Sequence, residues 1–240
     1  MATTNSWYVQ MKYFIEHDFR VILHDFKGQL KSDKPRGPYT FAEHAEETIM
    51  ILDELSIGEA HFMGTSYGGE VALNIGFRYP DYVKSLVIID SVSETNAKMV
   101  EDIERWIKLC ENNDGETFFW GMANDIYGKT FLEENMVFLE ARAQATSGLP
   151  KSYFDGQIEL YKTFIRDVYM TDRLSEIKAP TLVICGEDDK LKPKEFSEII
   201  AKQIKGSQYA IIPDCGHVTI FEKPKELEEL IVKFITSLKM

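Results

Sequence analysis

A short stretch in the first third of the chain has the residues of an activated serine nucleophile. The sequence Gly64-Thr65-Ser66-Tyr67-Gly68 follows the apolar residues 60–63 and precedes the small-residue segment 69–77. The spacing Gly-x-Ser-x-Gly is typical of a sharp turn from a strand into a helix. In such a turn the apical residue has positive φ, and the residues two positions before and after it must lack bulk. We therefore predict a strand, a tight turn with Ser66 at its apex, and a helix.

The backbone after the serine has its own predicted role. The turn directs the Tyr67 N–H, together with the N-terminus of the following helix, toward the group that the serine attacks. The same five-residue spacing also occurs by chance in ordinary glycine-rich turns. A histidine and an acid in suitable positions are therefore needed to support the nucleophile interpretation.

The elements that must position these residues alternate along the chain. Short apolar runs predict buried strands, whereas apolar residues at helical spacing predict the helices between them. The predicted strands are 20–24, 60–63, 85–90, 179–185 and 207–212. Strands that alternate with helices predict a parallel sheet, and functional groups then gather beyond its carboxyl ends. Ser66, Asp90, Asp189 and His217 all follow predicted strands.

The segment 91–178 has a different pattern. Strand signals are absent from it, helical spacing is frequent, and aromatic residues and methionines are abundant. We predict a helical cap over 91–178, inserted into an α/β core formed by 1–90 and 179–240. Some of its aromatic side chains should line an apolar pocket, although their spacing does not identify which ones.

Composition excludes several classes of function. The 240 residues are 44% hydrophobic and 28% charged, with a net charge of −12. This negative charge argues against nucleic-acid binding and against an anionic membrane surface. No apolar run is long enough to cross a membrane. The three widely spaced cysteines predict reduced thiols in a cytoplasmic protein, without a metal site or cofactor.

Taken together, the motifs resemble the α/β-hydrolase superfamily over roughly the whole chain. The resemblance is to members with a serine nucleophile, which include esterases, lactonases, thioesterases and carbon–carbon hydrolases. It implies a mostly parallel sheet of the α/β-hydrolase type with a helical cap insertion. The matching motifs are Gly64 to Gly68, the 20–35 loop with Asp25 and Gly28, Tyr79-Pro80, Ile88-Ile89-Asp90, Gly186-Glu187-Asp188-Asp189 and Gly216-His217.

The resemblance implies a catalytic triad in the order nucleophile, acid, base: Ser66, Asp189 and His217. A serine hydroxyl is a poor nucleophile at neutral pH, so His217 would remove its proton and later return it to the leaving group. Asp189 would hold the imidazole in the required tautomer. Family pattern favours Asp189 over Asp188 as the acid, and Asp90 is the alternative. His17, His24, His44 and His61 are interpreted as structural, with His44 on an exposed helix face.

One departure from the family pattern concerns the start of the chain. Family members have strands before this point, one of which lies between the predicted strand 20–24 and the strand leading to Ser66. The loop after that strand donates a second oxyanion N–H, and residues 1–5 would be its remnant. Either the chain is a fragment, or it is a natural form with a rearranged sheet edge. Loss of one oxyanion donor costs roughly a hundredfold to a thousandfold in rate.

The sequence thus predicts a hydrolase of small carboxylic esters, lactones or thioesters that acts through an acyl-enzyme. The expected partner is a small apolar ester-type substrate, with no nucleic acid and no membrane, and self-association is left open. The alternative is a non-catalytic ligand-binding protein, or an inactive truncated member, of the same fold. The sequence does not name the substrate, because many relatives with different substrates share an apolar cap.

Overall fold

The centre of the molecule is a parallel sheet whose strands have the same order in space as in the sequence. The computed structural model describes residues 1–238. Within those residues the sheet has four strands: β1 (Ala60–Thr65), β2 (Val83–Ile89), β3 (Thr181–Gly186) and β4 (Gln208–Ile212). This architecture confirms the predicted α/β class with a parallel sheet.

Helices connect the strands and cover the sheet. Three short 3₁₀ segments, Thr4–Trp7, Pro80–Tyr82 and Thr171–Glu176, complete the described secondary structure. Five helices, α4 to α8, lie between β2 and β3. The helices in chain order are α1 (Tyr8–Glu16), α2 (Phe41–Glu54), α3 (Tyr67–Arg78), α4 (Ala97–Glu111), α5 (Gly115–Ile126), α6 (Lys129–Glu134), α7 (Met136–Ser147), α8 (Lys151–Asp167), α9 (Lys194–Gln203), α10 (Thr219–Glu222) and α11 (Pro224–Ser237).

The two inner strands, β2 and β3, are buried on both faces of the sheet, which explains why they are continuous apolar runs. Successive side chains of a strand point to opposite faces. Val87 and Ile89 of β2 accordingly pack in a cluster with side chains of α1 and α11. Leu86 and Ile88 pack in a second cluster, with side chains of α2, α3 and α9. The molecule therefore has helices on both sides of the sheet, and its strands all end at the same edge.

The predicted strand at 20–24 is wrong. These residues carry no strand assignment and are only partly buried. They line one wall of a cavity of about 530 Å³, and β1 lines another. A β-strand requires a ladder partner at about 4.8 Å, and the cavity separates this segment from β1. Residues 20–24 are thus apolar because they line the cavity and pack against neighbouring helices, and not because they form a strand of the sheet.

His44 also lies in a different environment from the predicted one. It was expected on an exposed helix face, but its side chain is fully buried on α2. The ring packs against Phe26, Tyr39 and Tyr67, with centroid separations of 5.1, 5.9 and 5.7 Å. Burial, the largest cause, and the charge of Lys27 lower the pKa of His44 to about 3. The imidazole is therefore neutral in the folded protein at neutral pH.

His44 should make the protein less stable in mild acid. Its folded-state pKa lies below the unfolded value near 6.5, so the unfolded chain binds more protons between these two pKa values. The stabilisation is complete above about pH 6.5 and is lost as the pH falls. At pH 5 the loss from this residue is about 2 kcal/mol. Urea unfolding of wild type and His44→Leu at pH 7 and pH 5 measures this loss of unfolding free energy.

The matched control is His17→Gln, because His17 lies exposed at the end of α1. This variant should lose as much stability between the two pH values as wild type does. His44→Leu should lose less. An equal loss in His44→Leu and wild type would show that His44 is not the source of the acid sensitivity.

Candidate active site

Ser66 occupies a strained turn between β1 and α3. Its backbone dihedrals are φ 53° and ψ −120°, a region that non-glycine residues rarely adopt and that costs of order 1–3 kcal/mol. The turn is fixed by a hydrogen bond from the Ser66 N–H to the Ile89 carbonyl at 2.8 Å. The Ser91 hydroxyl also lies 2.9 Å from the Ser66 carbonyl. These two hydrogen bonds to the end of β2 and the residues after it thus stabilise the strained backbone of Ser66.

The glycine requirement of this turn differs in part from the predicted one. A Cβ at Gly64 would lie 2.1 Å from the Gly68 carbonyl oxygen, so glycine is needed there, as predicted. A Cβ at Gly68 would meet nothing within 4 Å. Instead, a Cβ at Gly69 would lie 1.9 Å from the Ser91 hydroxyl. Close packing against Ser91 therefore requires glycine at position 69. This is one position later than the motif suggests.

Three predicted residues come together in one hydrogen-bonded chain. His217 Nε2 lies 2.9 Å from Ser66 Oγ, and His217 Nδ1 lies 2.7 Å from Asp189 Oδ2. Since an ionised carboxylate only accepts hydrogen bonds, Nδ1–H donates to Asp189 and Nε2 is left to accept the serine proton. The side chains of Asp189 and His217 are both about 95% buried. This geometry allows His217 to act as a general base toward Ser66.

Backbone groups hold the acid and the base in place. The second oxygen of Asp189 accepts the N–H groups of Leu191 and Lys192 at 3.0 and 2.8 Å. The backbone N–H of His217 donates to the backbone carbonyl of Ile126, at the end of α5, at 2.8 Å. The loops after β3 and β4 are thereby fixed relative to each other and to the helices between β2 and β3.

The alternative acid, Asp90, makes a different set of contacts. Its carboxylate accepts the Gly186 N–H at 3.0 Å and the Thr219 N–H at 3.3 Å, together with the Thr219 hydroxyl. Burial and, secondarily, the neighbouring charge of Asp189 raise the pKa of Asp90. The carboxylate that accepts the His217 Nδ1–H is that of Asp189. Asp90 instead connects the ends of β2 and β3 to the segment after His217.

Tyr67 is the first residue of α3, directly after Ser66. N–H groups in the first turn of a helix have no acceptor within that helix, so the Tyr67 N–H is available to a ligand. Tyr67 lines the same pocket as Ser66 and His217. Met1 and Ala2, from the predicted remnant of the oxyanion loop, also line this pocket.

The pocket over Ser66 is small and rich in aromatic side chains. Its volume is about 130 Å³, and much of its lining comes from α4, α5, α7 and α8, which lie between β2 and β3 in the chain. The helical spacing of the sequence did not identify these lining residues, because core and pocket positions share the same pattern. The aromatic lining residues on α4, α5 and α8 are Trp106, Phe118, Phe119, Tyr153, Tyr161 and Phe164.

A buried ion pair that the sequence did not reveal connects the nucleophile helix to the acid loop. Lys192 Nζ lies 2.8 Å from Glu70 Oε1, and their side chains are 3% and 0% exposed. Glu70 Oε1 also accepts the Val92 N–H at 3.0 Å. Burial raises the pKa of Glu70, and the Lys192 charge offsets part of that effect. The pair lies far apart in the sequence, so no local signal could have predicted it.

Removing one member of this pair should be costly. Lys192→Met leaves the buried Glu70 carboxylate without its cation, for which we expect a loss of about 3–5 kcal/mol in unfolding free energy. The double variant Glu70→Gln with Lys192→Met removes both charges and should recover most of that loss. Urea unfolding of wild type, Lys192→Met and the double variant measures this loss and its recovery. A double variant as unstable as the single one would contradict this assignment.

Two kinds of feature were sought in the part of the chain that the structure describes: a cluster of metal ligands and a helix that could span a membrane. Residues 1–238 contain no cluster of histidine, cysteine, aspartate or glutamate side chains suited to a metal ion. Cys110, Cys185 and Cys215 are free and buried. Over the same residues, every helix is too short or too polar to span a membrane.

Comparison with known families and structures gives consistent matches over nearly the whole chain. Residues 1–224 match the family model described as alpha/beta hydrolase fold. The structure of MGS-M2, an alpha/beta hydrolase enzyme from a Medee basin deep-sea metagenome library, superposes with a TM-score of 0.92 at 26% identity. That match covers 98% of this chain and 86% of the other.

Two curated relatives have hydrolytic names. A 2-hydroxy-6-oxo-6-phenylhexa-2,4-dienoate hydrolase of Comamonas testosteroni is 27% identical, over 96% of this chain and 82% of its own. A poly(3-hydroxyalkanoate) depolymerase of Ectopseudomonas oleovorans is 28% identical, over 92% of this chain and 76% of its own. At this level of identity the names support a hydrolase without fixing the substrate.

Proposed function

The chain belongs to the alpha/beta hydrolase family, and from that premise we propose that it hydrolyses small carboxylic esters, lactones or thioesters through an acyl-enzyme. The observation that carries the proposal is the chain of hydrogen bonds from Ser66 through His217 to Asp189 at the base of one pocket. The hydrolytic names of the relatives support the reaction class.

In the first half of the proposed reaction, Ser66 Oγ forms a bond to the carbonyl carbon while its proton moves to His217 Nε2. Negative charge develops on the carbonyl oxygen, where the Tyr67 N–H stabilises it. When the intermediate collapses, the bond to the leaving group breaks and His217 returns the proton to that group. The serine is then acylated and the alcohol or thiol is free.

In the second half, water takes the place of the alcohol. His217 removes a proton from water, whose oxygen attacks the acyl carbon, and the proton passes to Ser66 Oγ as the ester bond breaks. Asp189 stabilises the positively charged imidazole in both halves. In this proposal α4 to α8 act as the cap over the core, and their aromatic side chains favour an apolar acyl group.

Turnover of 4-nitrophenyl butyrate by folded protein tests this proposal. We expect saturable release of 4-nitrophenolate, with an initial burst if the second half is slower than the first. Folding should be verified by circular dichroism on the same sample. A folded protein that binds the ester saturably without hydrolysing it would contradict the proposal and support a ligand-binding role.

A further inference from the structure

The described side chains that line the active-site pocket include positive charges but no negative ones. The whole chain has a net charge of −12. Yet among the described residues the pocket lining contains Lys192 and Arg142, but neither aspartate nor glutamate. Lys192 is already neutralised by Glu70 at 2.8 Å. Arg142 is therefore the side chain that gives this pocket its positive charge.

Arg142 is held in place by aromatic contacts instead of an acid. It projects from α7, and its guanidinium carbon lies 4.2 Å from the ring centroid of Phe221 and 5.7 Å from that of Phe138. No ion pair involving it is found within the described part of the chain. Stacking on a ring leaves the edge of the guanidinium, with its N–H groups, open to a planar anion.

The hydrogen-bonding capacity of Arg142 is incompletely used. Its Nε atom is buried and has no acceptor, and within the described residues the guanidinium meets the Tyr127 hydroxyl but no carboxylate. The nearby Glu222 carboxylate accepts the backbone N–H groups of Gly128 and Gly216 and forms no ion pair with Arg142 among the described residues. A buried donor without a partner is costly, and a bound carboxylate would satisfy it with a charge-assisted bond.

The positive charge of the Arg142 guanidinium acts on other groups that line the pocket. Burial raises the pKa of both Tyr127 and Tyr153, and Arg142 acts in the opposite direction on each hydroxyl. Both tyrosines line the pocket that contains Ser66 and His217. An anion in this space would therefore meet a favourable field in a poorly solvated environment.

We propose that Arg142 binds a carboxylate group of the substrate, so that the preferred esters or lactones carry a free carboxylate in addition to the bond that is cleaved. This inference rests on the proposed hydrolase function and narrows it from apolar esters in general to anionic ones. The aromatic walls would contact the chain between the carboxylate and the reacting carbonyl. Arg142 thus determines specificity and takes no part in the bond-breaking steps.

The test compares esters that differ only in the free carboxylate. The acyl series uses mono-4-nitrophenyl succinate, glutarate, adipate and suberate, each against the 4-nitrophenyl ester of the unbranched monocarboxylic acid of equal length. The leaving-group pair is 4-carboxyphenyl hexanoate against 4-carbamoylphenyl hexanoate. Rates are corrected for spontaneous hydrolysis, and the readout is the ratio of kcat/KM values within each pair.

Wild type should favour the carboxylate ester in at least one pair. Arg142→Met should lower that ratio by about ten- to a hundredfold, which is the range expected for loss of a hydrogen-bonded charge pair. Arg142→Lys should keep part of the wild-type preference for the carboxylate ester. The control is Lys108→Met, which removes one positive charge from an exposed position on α4 and should retain the wild-type ratio.

Two outcomes separate this inference from the proposed function. If the neutral esters are hydrolysed and no pair shows a preference, or if the preference persists in Arg142→Met, the role of Arg142 is overturned and the hydrolase function stands. If folded wild type hydrolyses none of the esters, the proposed function itself fails and the inference fails with it.

Discussion

Replacing Ser66 with alanine should lower kcat for ester hydrolysis by about 10⁴- to 10⁶-fold. The variant has no oxygen to form the acyl-enzyme, while the pocket and the Tyr67 N–H are retained. The residual rate would reflect binding and oxyanion stabilisation alone. The measurement is steady-state hydrolysis of 4-nitrophenyl butyrate at saturating substrate.

The matched control for this loss is Ser147→Ala, since Ser147 lies exposed at the end of α7. This control should keep the wild-type rate. Ser66→Ala should also be no less stable than wild type, because its hydroxyl contributes only the hydrogen bond to His217. Wild-type turnover in Ser66→Ala would mean that another group, or water directly, attacks the substrate.

Replacing Asp189 with asparagine should lower kcat by about 10⁴-fold. The asparagine oxygen can still accept the Leu191 and Lys192 N–H groups, so the loop should keep its shape. The amide nitrogen would then face His217 Nδ1 and donate to it. That contact favours the tautomer with the proton on Nε2, which cannot accept a proton from Ser66.

Asp90→Asn is the informative comparison, because both acids were candidates. The Asp90 carboxylate accepts hydrogen bonds from Gly186 and Thr219, whereas the Asp189 carboxylate accepts the one from His217 Nδ1–H. Asp90→Asn should therefore mainly reduce stability, measured by urea unfolding, and keep most of the ester turnover. A larger loss of kcat in Asp90→Asn than in Asp189→Asn would reverse the assignment of the acid.

The sequence predicts the candidate catalytic residues better than it predicts the residues that support them. Ser66, Asp189 and His217 each follow a strand within a recognisable short motif, so local spacing places them at one edge of the sheet. The Glu70–Lys192 ion pair joins residues 122 positions apart. Its members look like ordinary surface charges in the sequence, and only the packing of α3 against the acid loop shows that they are buried.

Two further differences have the same physical origin. The segment 20–24 is as apolar as a true strand, but strand formation depends on a neighbour in the ladder, which composition does not encode. Helical spacing places His44 on an exposed helix face, yet this face of α2 packs against aromatic rings from other segments. In both cases long-range packing decides the environment.

The most direct test of the central claim is covalent labelling of Ser66 by a fluorophosphonate. The Ser66 oxygen would form a bond to phosphorus as the P–F bond breaks, with fluoride leaving and the serine proton passing to His217. Peptide mass spectrometry should find the stable phosphonyl adduct on Ser66 in wild type, with much slower labelling in His217→Ala. An unlabelled Ser66 in folded wild type, or an adduct on a different residue, would contradict the proposed nucleophile.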